Sequence, residues 1–150
     1  MRVLVTAGPT REAIDPVRFI SNRSSGKMGY AVAEAAARAG HSVRLISGPV
    51  AMEAPHGVKR VSVTTAEEML TAVQRHLSAC DVLVMVAAVA DWRPKKIAKK
   101  KLKKSDGPPH IEWEATPDIL KIIAPIKKTS QVFCGFAAET HRVNSEAKRK

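Results

Sequence analysis

Aromatic residues make up only 4 % of the 150-residue chain. Proteins that grip single-stranded nucleic acid stack its bases on aromatic faces, so nucleic acid is not the expected partner. Cysteine is as sparse. Cys80 and Cys134 stand far apart beside apolar neighbours, and neither has a second cysteine or a histidine at a metal-binding spacing. Both are read as buried, reduced thiols. The five histidines, His41, His56, His76, His110 and His141, are equally scattered and receive no role. No apolar run is long enough to cross a bilayer. The opening "MRVLVTAG" lacks the apolar core and small-residue cleavage site of a secretory signal. The expectation is a cytoplasmic protein with no membrane partner.

Two familiar phosphate motifs are also missing. "SNRSSGKMG", Ser21 to Gly29, is no Walker loop, because Met28 follows the Gly-Lys pair and Ser21 stands where the motif starts with glycine. "TAGPTRE" has one glycine where a dinucleotide fingerprint needs three. A nicotinamide-dependent reductase is further disfavoured because Tyr30 is followed four residues on by Glu34, not by lysine. There is no internal repeat, and the length suits one domain.

What the chain has in excess is positive charge. The formal net charge is +11, enough to concentrate anions around the protein. The surplus is uneven: "KKIAKKKLKK", Lys95 to Lys104, holds seven lysines in ten positions. Such a segment repels itself, so it is expected to be mobile when empty and to order over a polyanion such as a triphosphate. A basic nucleic-acid module is the alternative.

The apolar pattern alternates strands with helices. Val3 to Val5 begins a strand that ends in the small-residue turn Thr6 to Thr10. From Ser25, the residues Met28, Ala31, Val32, Ala35, Ala36 and Ala39 form one helical stripe, stopped by Gly40. "HSVRLIS" and "VKRVSV" read as the next strands. "TAEEMLTAVQRHL" reads as a helix with a Thr65–Glu68 capping box and Met69, Leu70, Val73 and Leu77 on its inner face. "DVLVMVAAVAD" is the most continuous apolar run and is read as the middle of a parallel sheet. "TPDILKIIAPIK" is read as a helix capped by Thr116 with Pro117 at its first position, and "QVFCGFAAET" as the fifth strand. The sum predicts an α/β fold: a doubly wound, mainly parallel Rossmann-like sheet with helices on both faces.

Ligands of such a sheet bind beyond the carboxyl ends of its strands. Three Gly- and Ala-rich loops fall there, "TAGPTRE", "AAVADWRP" and "GFAAET". Ser24, Ser25 and Gly26 precede a helix, where free N–H groups and the helix dipole favour an anion. Asp91, beside Ala87 to Ala90, is placed either to hold a magnesium ion on phosphates or to pair with Arg93 or a lysine.

Taken together, "VLVTAGPTREAIDPVRFISNRSSGKMG", "AAVADWRP" with Lys101 ten residues after its Asp91, "TPDIL" and "GFAAET" strongly resemble the phosphopantothenate–cysteine ligases, over essentially the whole chain. The "ISNRSSGKMG" form resembles the bacterial, CTP-dependent branch, usually fused behind a flavin-dependent decarboxylase domain. The resemblance implies a step of coenzyme A synthesis. CTP activates the carboxylate of 4′-phosphopantothenate as an acyl-cytidylate with release of pyrophosphate; L-cysteine then attacks, giving the amide and CMP. By the same resemblance, Asn22 contacts phosphopantothenate and the acyl-cytidylate, and Lys101 contacts CTP and assists its conversion. Ala87, Asp91, Pro117, Asp118, Ile119, Leu120 and Phe136 line the CTP site, with Asp91 as the Mg2+ contact. Lys150 matches the first of two nucleotide-contacting lysines. A homodimer is implied too. The family pattern continues past Lys150 with a second lysine and a strand of the type "DxIVAN", so the expectation is a single nucleotide-binding ligase domain over residues 1–150, truncated at its C-terminus.

Overall fold

A computed structural model describes residues 1–138. Five parallel strands form the main sheet: β1 (Arg2–Ala7), β4 (Ser42–Ser47), β5 (Val58–Ser62), β6 (Val82–Met85) and β9 (Val132–Gly135), in the order β5-β4-β1-β6-β9. Three helices connect them: α1 (Lys27–Arg38), α2 (Ala66–Leu77) and α3 (Ile119–Ile123). Alternation along β1 sends its side chains to opposite faces. Val3, Val5 and Ala7 pack with Val43, Leu45 and the α1 residues Tyr30 and Ala33. Leu4 packs with Ile46, Leu83 and the α2 and α3 residues Met69, Val73, Ile119 and Ile123 on the other face. Helices therefore cover both faces, as expected for a doubly wound fold.

The strand order moves one expectation. β1, not β6, is the middle strand. The apolar run at Val82 leaves the sheet after Met85, and its alanines fill a packed loop beyond the strand end. Four short strands fall in segments where the apolar pattern marks no element. β2 (Arg11–Ala13) pairs antiparallel with β3 (Phe19–Ser21), and β7 (Trp92–Pro94) with β8 (Trp113–Ala115). The two ribbons touch through β2 and β7 and form an arm at the carboxyl edge of the sheet.

α1 is shifted and rotated from its expected stripe. It begins at Lys27, capped by Gly26 at a φ of 79° with no side-chain cap. It buries Gly29, Tyr30 and Ala33, while Met28, Ala31, Ala35 and Ala39 face solvent. The buried side is chosen by size, not hydropathy: a Cβ on Gly29 would stand 2.5 Å from the Ala7 Cβ, so only glycine lets α1 lie this close to β1. Tyr30 Oη completes the fit with a 3.0 Å hydrogen bond to Ser47 Oγ.

The other helices follow local chemistry. Thr65 Oγ1 accepts the Glu68 N–H at 3.2 Å, as the capping box requires. Glu68 returns its carboxylate to the Thr64 N–H at 2.6 Å, one residue before the cap. α3 is capped by Asp118, whose Oδ1 accepts the Lys121 N–H at 3.1 Å, and not by Thr116. Of the two cysteines Cys80 is buried, whereas Cys134 is exposed on β9. Burial pushes the Cys80 thiol upward, with Asp81 adding to the shift, so it is the unreactive one.

Candidate functional site

The loops leaving β1 and β6 are knitted together. Pro9 bridges Ala88; the Ala88 N–H donates to the Gly8 carbonyl at 2.9 Å, and the Thr10 N–H to the Ala88 carbonyl at 3.2 Å. Two buried threonines, Thr6 near the end of β1 and Thr10 in the loop after it, do the rest. Thr6 Oγ1 accepts the N–H groups of Val86 and Ala87, each at 3.2 Å, and Thr10 Oγ1 accepts the Ala90 N–H at 2.9 Å. From the far side Thr116 donates its hydroxyl to the Ala90 carbonyl and its N–H, at 2.9 Å, to the Asp91 carbonyl. The loop after β9 joins through the Phe136 N–H on the Met85 carbonyl at 2.9 Å. The three loops expected at the carboxyl edge do meet there, as far as residue 138.

Asn22, at the exit of β3, donates its amide Nδ2 to the carbonyls of Ala88 (3.1 Å) and Val89 (3.0 Å). Both amide protons are spent on the β6 loop, which leaves Oδ1 without a partner among the described residues. The chain then turns into α1. Ser24 Oγ accepts the Gly26 N–H at 3.3 Å, so this hydroxyl shapes the turn before the helix and does not cap it. Gly26 packs against Gly8 and Val50, and Gly48 lies so close to Pro9 that a Cβ there would stand 1.8 Å from the Pro9 oxygen. Only glycine fits at these positions between α1 and the β1 and β4 exits; the Lys27 N–H reaches Ser25 Oγ at 3.5 Å, and the start of α1 has no side-chain cap.

Asp91 is exposed, and the ion pair with Arg93 does not form. Arg93 is engaged by Glu114 at 2.8 Å and Glu67 at 3.4 Å, which leaves the Asp91 carboxylate unpaired among the described residues. Among those residues no group of three His, Cys, Asp or Glu side chains is placed to hold a metal. The "TPDIL" stretch divides. Pro117 and Leu120 are half-buried beside the β6 loop, Asp118 spends one oxygen on the α3 cap, and Ile119 is a core residue, 4 % exposed, whose side chain is closed to a ligand. Phe136 is half-exposed. Lys150 lies outside the described residues.

Lys101 is exposed, and its segment is not free-swinging as its charge suggests. The Ala98 N–H donates to the Ile14 carbonyl at 3.0 Å, and the Leu102 N–H to Asp15 Oδ2 at 3.1 Å. The structure thus ties the Lys101 loop to the β2–β3 hairpin, whose exit carries Asn22, without placing Lys101 in contact with Asn22 or Asp91. Sequence patterning missed Thr6, Thr10, Asp15 and Arg18. Only Asp15 had a signal, since Asp-Pro marks a turn closed by the Asp side chain. A cavity of about 150 Å³ lined by Arg2, Arg44, Lys59 and His76 opens at the opposite edge of the sheet and contains none of these residues.

A five-stranded parallel sheet with helices on both faces and a glycine-bordered helix start at its carboxyl edge defines a Rossmann-like α/β domain. The chain belongs to the DNA/pantothenate metabolism flavoprotein C-terminal domain family, whose model matches residues 1–150. It is 49 % identical over 150 residues to the coenzyme A biosynthesis bifunctional protein CoaBC of Vibrio vulnificus strain YJ016, covering 99 % of this chain and 37 % of that protein. It is 49 % identical over 149 residues to the protein of the same name from Bacillus subtilis strain 168, covering 99 % and 36 %. It spans little more than a third of the length of these curated relatives. The crystal structure of a C-terminal domain of CoaBC superimposes with a TM-score of 0.86 at 49 % identity, covering 99 % of this chain and 70 % of that one.

Proposed function

We propose that residues 1–150 form one nucleotide-binding ligase domain that joins 4′-phosphopantothenate to L-cysteine in coenzyme A biosynthesis, with CTP as co-substrate. Family membership over the whole chain and near-half identity to bifunctional coenzyme A biosynthesis proteins support the reading. The observation that carries it is the set of groups at the carboxyl edge: a helix start without a side-chain cap, an Asn22 amide oxygen and an Asp91 carboxylate that have no partner among the described residues, and a tethered lysine loop.

The chemistry asks for such groups. The substrate carboxylate attacks the α-phosphorus, forming an acyl–phosphate bond while the bond to pyrophosphate breaks. The cysteine amine then attacks the acyl carbon, loses a proton, and expels CMP. The first step brings two anions together, so fixed positive charge lowers its barrier. In this reading Lys101 neutralises the phosphates, and the first turn of α1, with Ser24, Ser25 and Gly26, binds a phosphate through backbone N–H groups. Asn22 Oδ1 accepts from a substrate N–H or hydroxyl. Ala87, Pro117, Asp118, Leu120 and Phe136 border the nucleotide, and Ile119 contributes backbone only. A lone exposed carboxylate suits a magnesium ion delivered with the triphosphate better than one caged by protein, and Asp91 would be its protein contact. When bound, the ion supplies charge neutralisation at the phosphates.

The family resemblance, together with the relatives' bifunctional character, supports a fused flavin-dependent decarboxylase domain as partner, and the homodimer rests on the resemblance alone. Isothermal titration with CTP and with ATP, each with magnesium, tests the reading. Selective CTP binding is expected, and equal affinity for both would remove the CTP assignment. Lys101→Gln is expected to lower turnover by about a hundredfold at an unchanged melting temperature, because its side chain packs on nothing in the core.

A further inference from the structure

Lys99, Lys100 and Lys101 are consecutive cations whose repulsion favours a loop that spreads into solvent. Two tethers oppose it. One is the Ala98 N–H on the Ile14 carbonyl. The other is double: the Leu102 N–H donates to Asp15 Oδ2 at 3.1 Å, and the Leu102 carbonyl accepts from Arg18 Nη2 at 2.5 Å. Only three residues bulge between the tethers, and they are the three lysines.

The second tether is built on a carboxylate that is wholly buried. Asp15 Oδ1 accepts the N–H groups of Val17 and Arg18, both at 2.8 Å. Oδ2 accepts Arg18 Nε at 3.0 Å, Arg18 Nη2 at 2.6 Å and the Leu102 N–H. Burial disfavours its charge, but the Arg18 guanidinium and the three backbone donors outweigh that and hold the carboxyl well below the usual carboxylate range. The hairpin turn is already complete with the donors of Val17 and Arg18. The bond to Leu102, 87 residues along the chain, does nothing for the turn and everything for the loop.

We propose that Asp15 is a positioning residue for Lys101: its carboxylate, with Arg18 as its arm, pins Leu102 and so fixes where the adjacent ammonium is presented to the nucleotide. The proposal rests on the reading of Lys101 given above. It differs from a purely structural role in acting through one side chain, and two residues that act as a unit give non-additive losses.

The test measures pyrophosphate release from CTP and phosphopantothenate by the intact protein as wild type, Asp15→Asn, Lys101→Gln and the double variant. Asp15→Asn is expected to slow release by about ten- to a hundredfold, the scale of a misplaced group, to add nothing on the Lys101→Gln background, and to speed tryptic cleavage between Lys99 and Lys103. Multiplicative losses in the double variant, or Asp15→Asn at the wild-type rate beside an impaired Lys101→Gln, overturn the proposal alone. Lys101→Gln at the wild-type rate removes the nucleotide reading and the proposal with it. If Asp15→Asn does not fold, Arg18→Lys takes its place. That variant keeps a cation beside the buried carboxylate but cannot grip Asp15 and the Leu102 carbonyl together, so the same non-additivity with Lys101→Gln is expected and additive loss overturns.

Discussion

Asn22 holds a loop and, in the proposed function, contacts the substrate as well. Its two amide protons fix the β6 loop while its oxygen has no partner among the described residues. Asn22→Asp would set a carboxylate against the carbonyls of Ala88 and Val89, so loss of the donors and repulsion act together. Amide formation is expected to fall at least about tenfold, with acyl-cytidylate either trapped or not formed, as rapid-quench analysis would show. Unchanged turnover to the amide would take Asn22 out of the site. The sequence singled out Asp91 by its place at the end of an apolar run, and Asn22 and Lys101 through family resemblance. It could not point to Thr6 or Thr10, because a buried threonine that holds a loop looks in a sequence like any strand or turn threonine.

Elements were legible where hydropathy was decisive. α2 has large inward residues and a capping box, and its expected face, Met69, Leu70, Val73 and Leu77, is buried. α1 was found but its face was misjudged, since an alanine-rich helix looks apolar on several sides and the true contact is set by Gly29. The ribbons β2–β3 and β7–β8 escaped because three-residue strands are too short to show alternation. Gly29→Ala checks the packing account. Its Cβ would meet the Ala7 Cβ at 2.5 Å and both the Ala7 Cα and the Thr6 oxygen at 3.0 Å, forcing α1 off the sheet. The expected net loss is about 1–3 kcal/mol, seen as a lower urea midpoint at unchanged slope. A gain, as for an ordinary helical Gly→Ala exchange, would show that α1 can move away freely.

At the scale of the whole molecule, charge sets the response to acid. Arg2 grips Asp81 through Nη2 at 2.6 Å and through its own N–H at 2.7 Å, joining the starts of β1 and β6. The Arg2 side chain first, and its backbone N–H next, pull the Asp81 carboxyl down to about 2. A carboxyl lowered in the folded state contributes stability that is complete above its unfolded value, about 4, and is lost as pH falls through the folded one. Asp15 shares the direction. Stability is therefore expected to decline between about pH 4 and pH 2, and Asp81→Asn to flatten part of that decline in acid melts; an unchanged profile would show that the pair contributes nothing. The arm also exposes Val17, Phe19, Ile20, Trp92 and Trp113, apolar side chains that the proposed homodimer would cover. Trp113→Glu is expected to shift sedimentation from dimer to monomer, and a wild-type protein that sediments as a monomer would remove the homodimer reading.

Both tryptophans of the chain, Trp92 and Trp113, lie on the β7–β8 ribbon, and the segment between them carries every lysine of the tract. Light emitted on excitation at the tryptophan band therefore comes from the arm alone, and the main sheet is dark. Fluorescence and far-UV dichroism followed through the same urea titration would then watch two different parts of one molecule, and the gap between their midpoints would measure how tightly the arm's folding is coupled to that of the sheet.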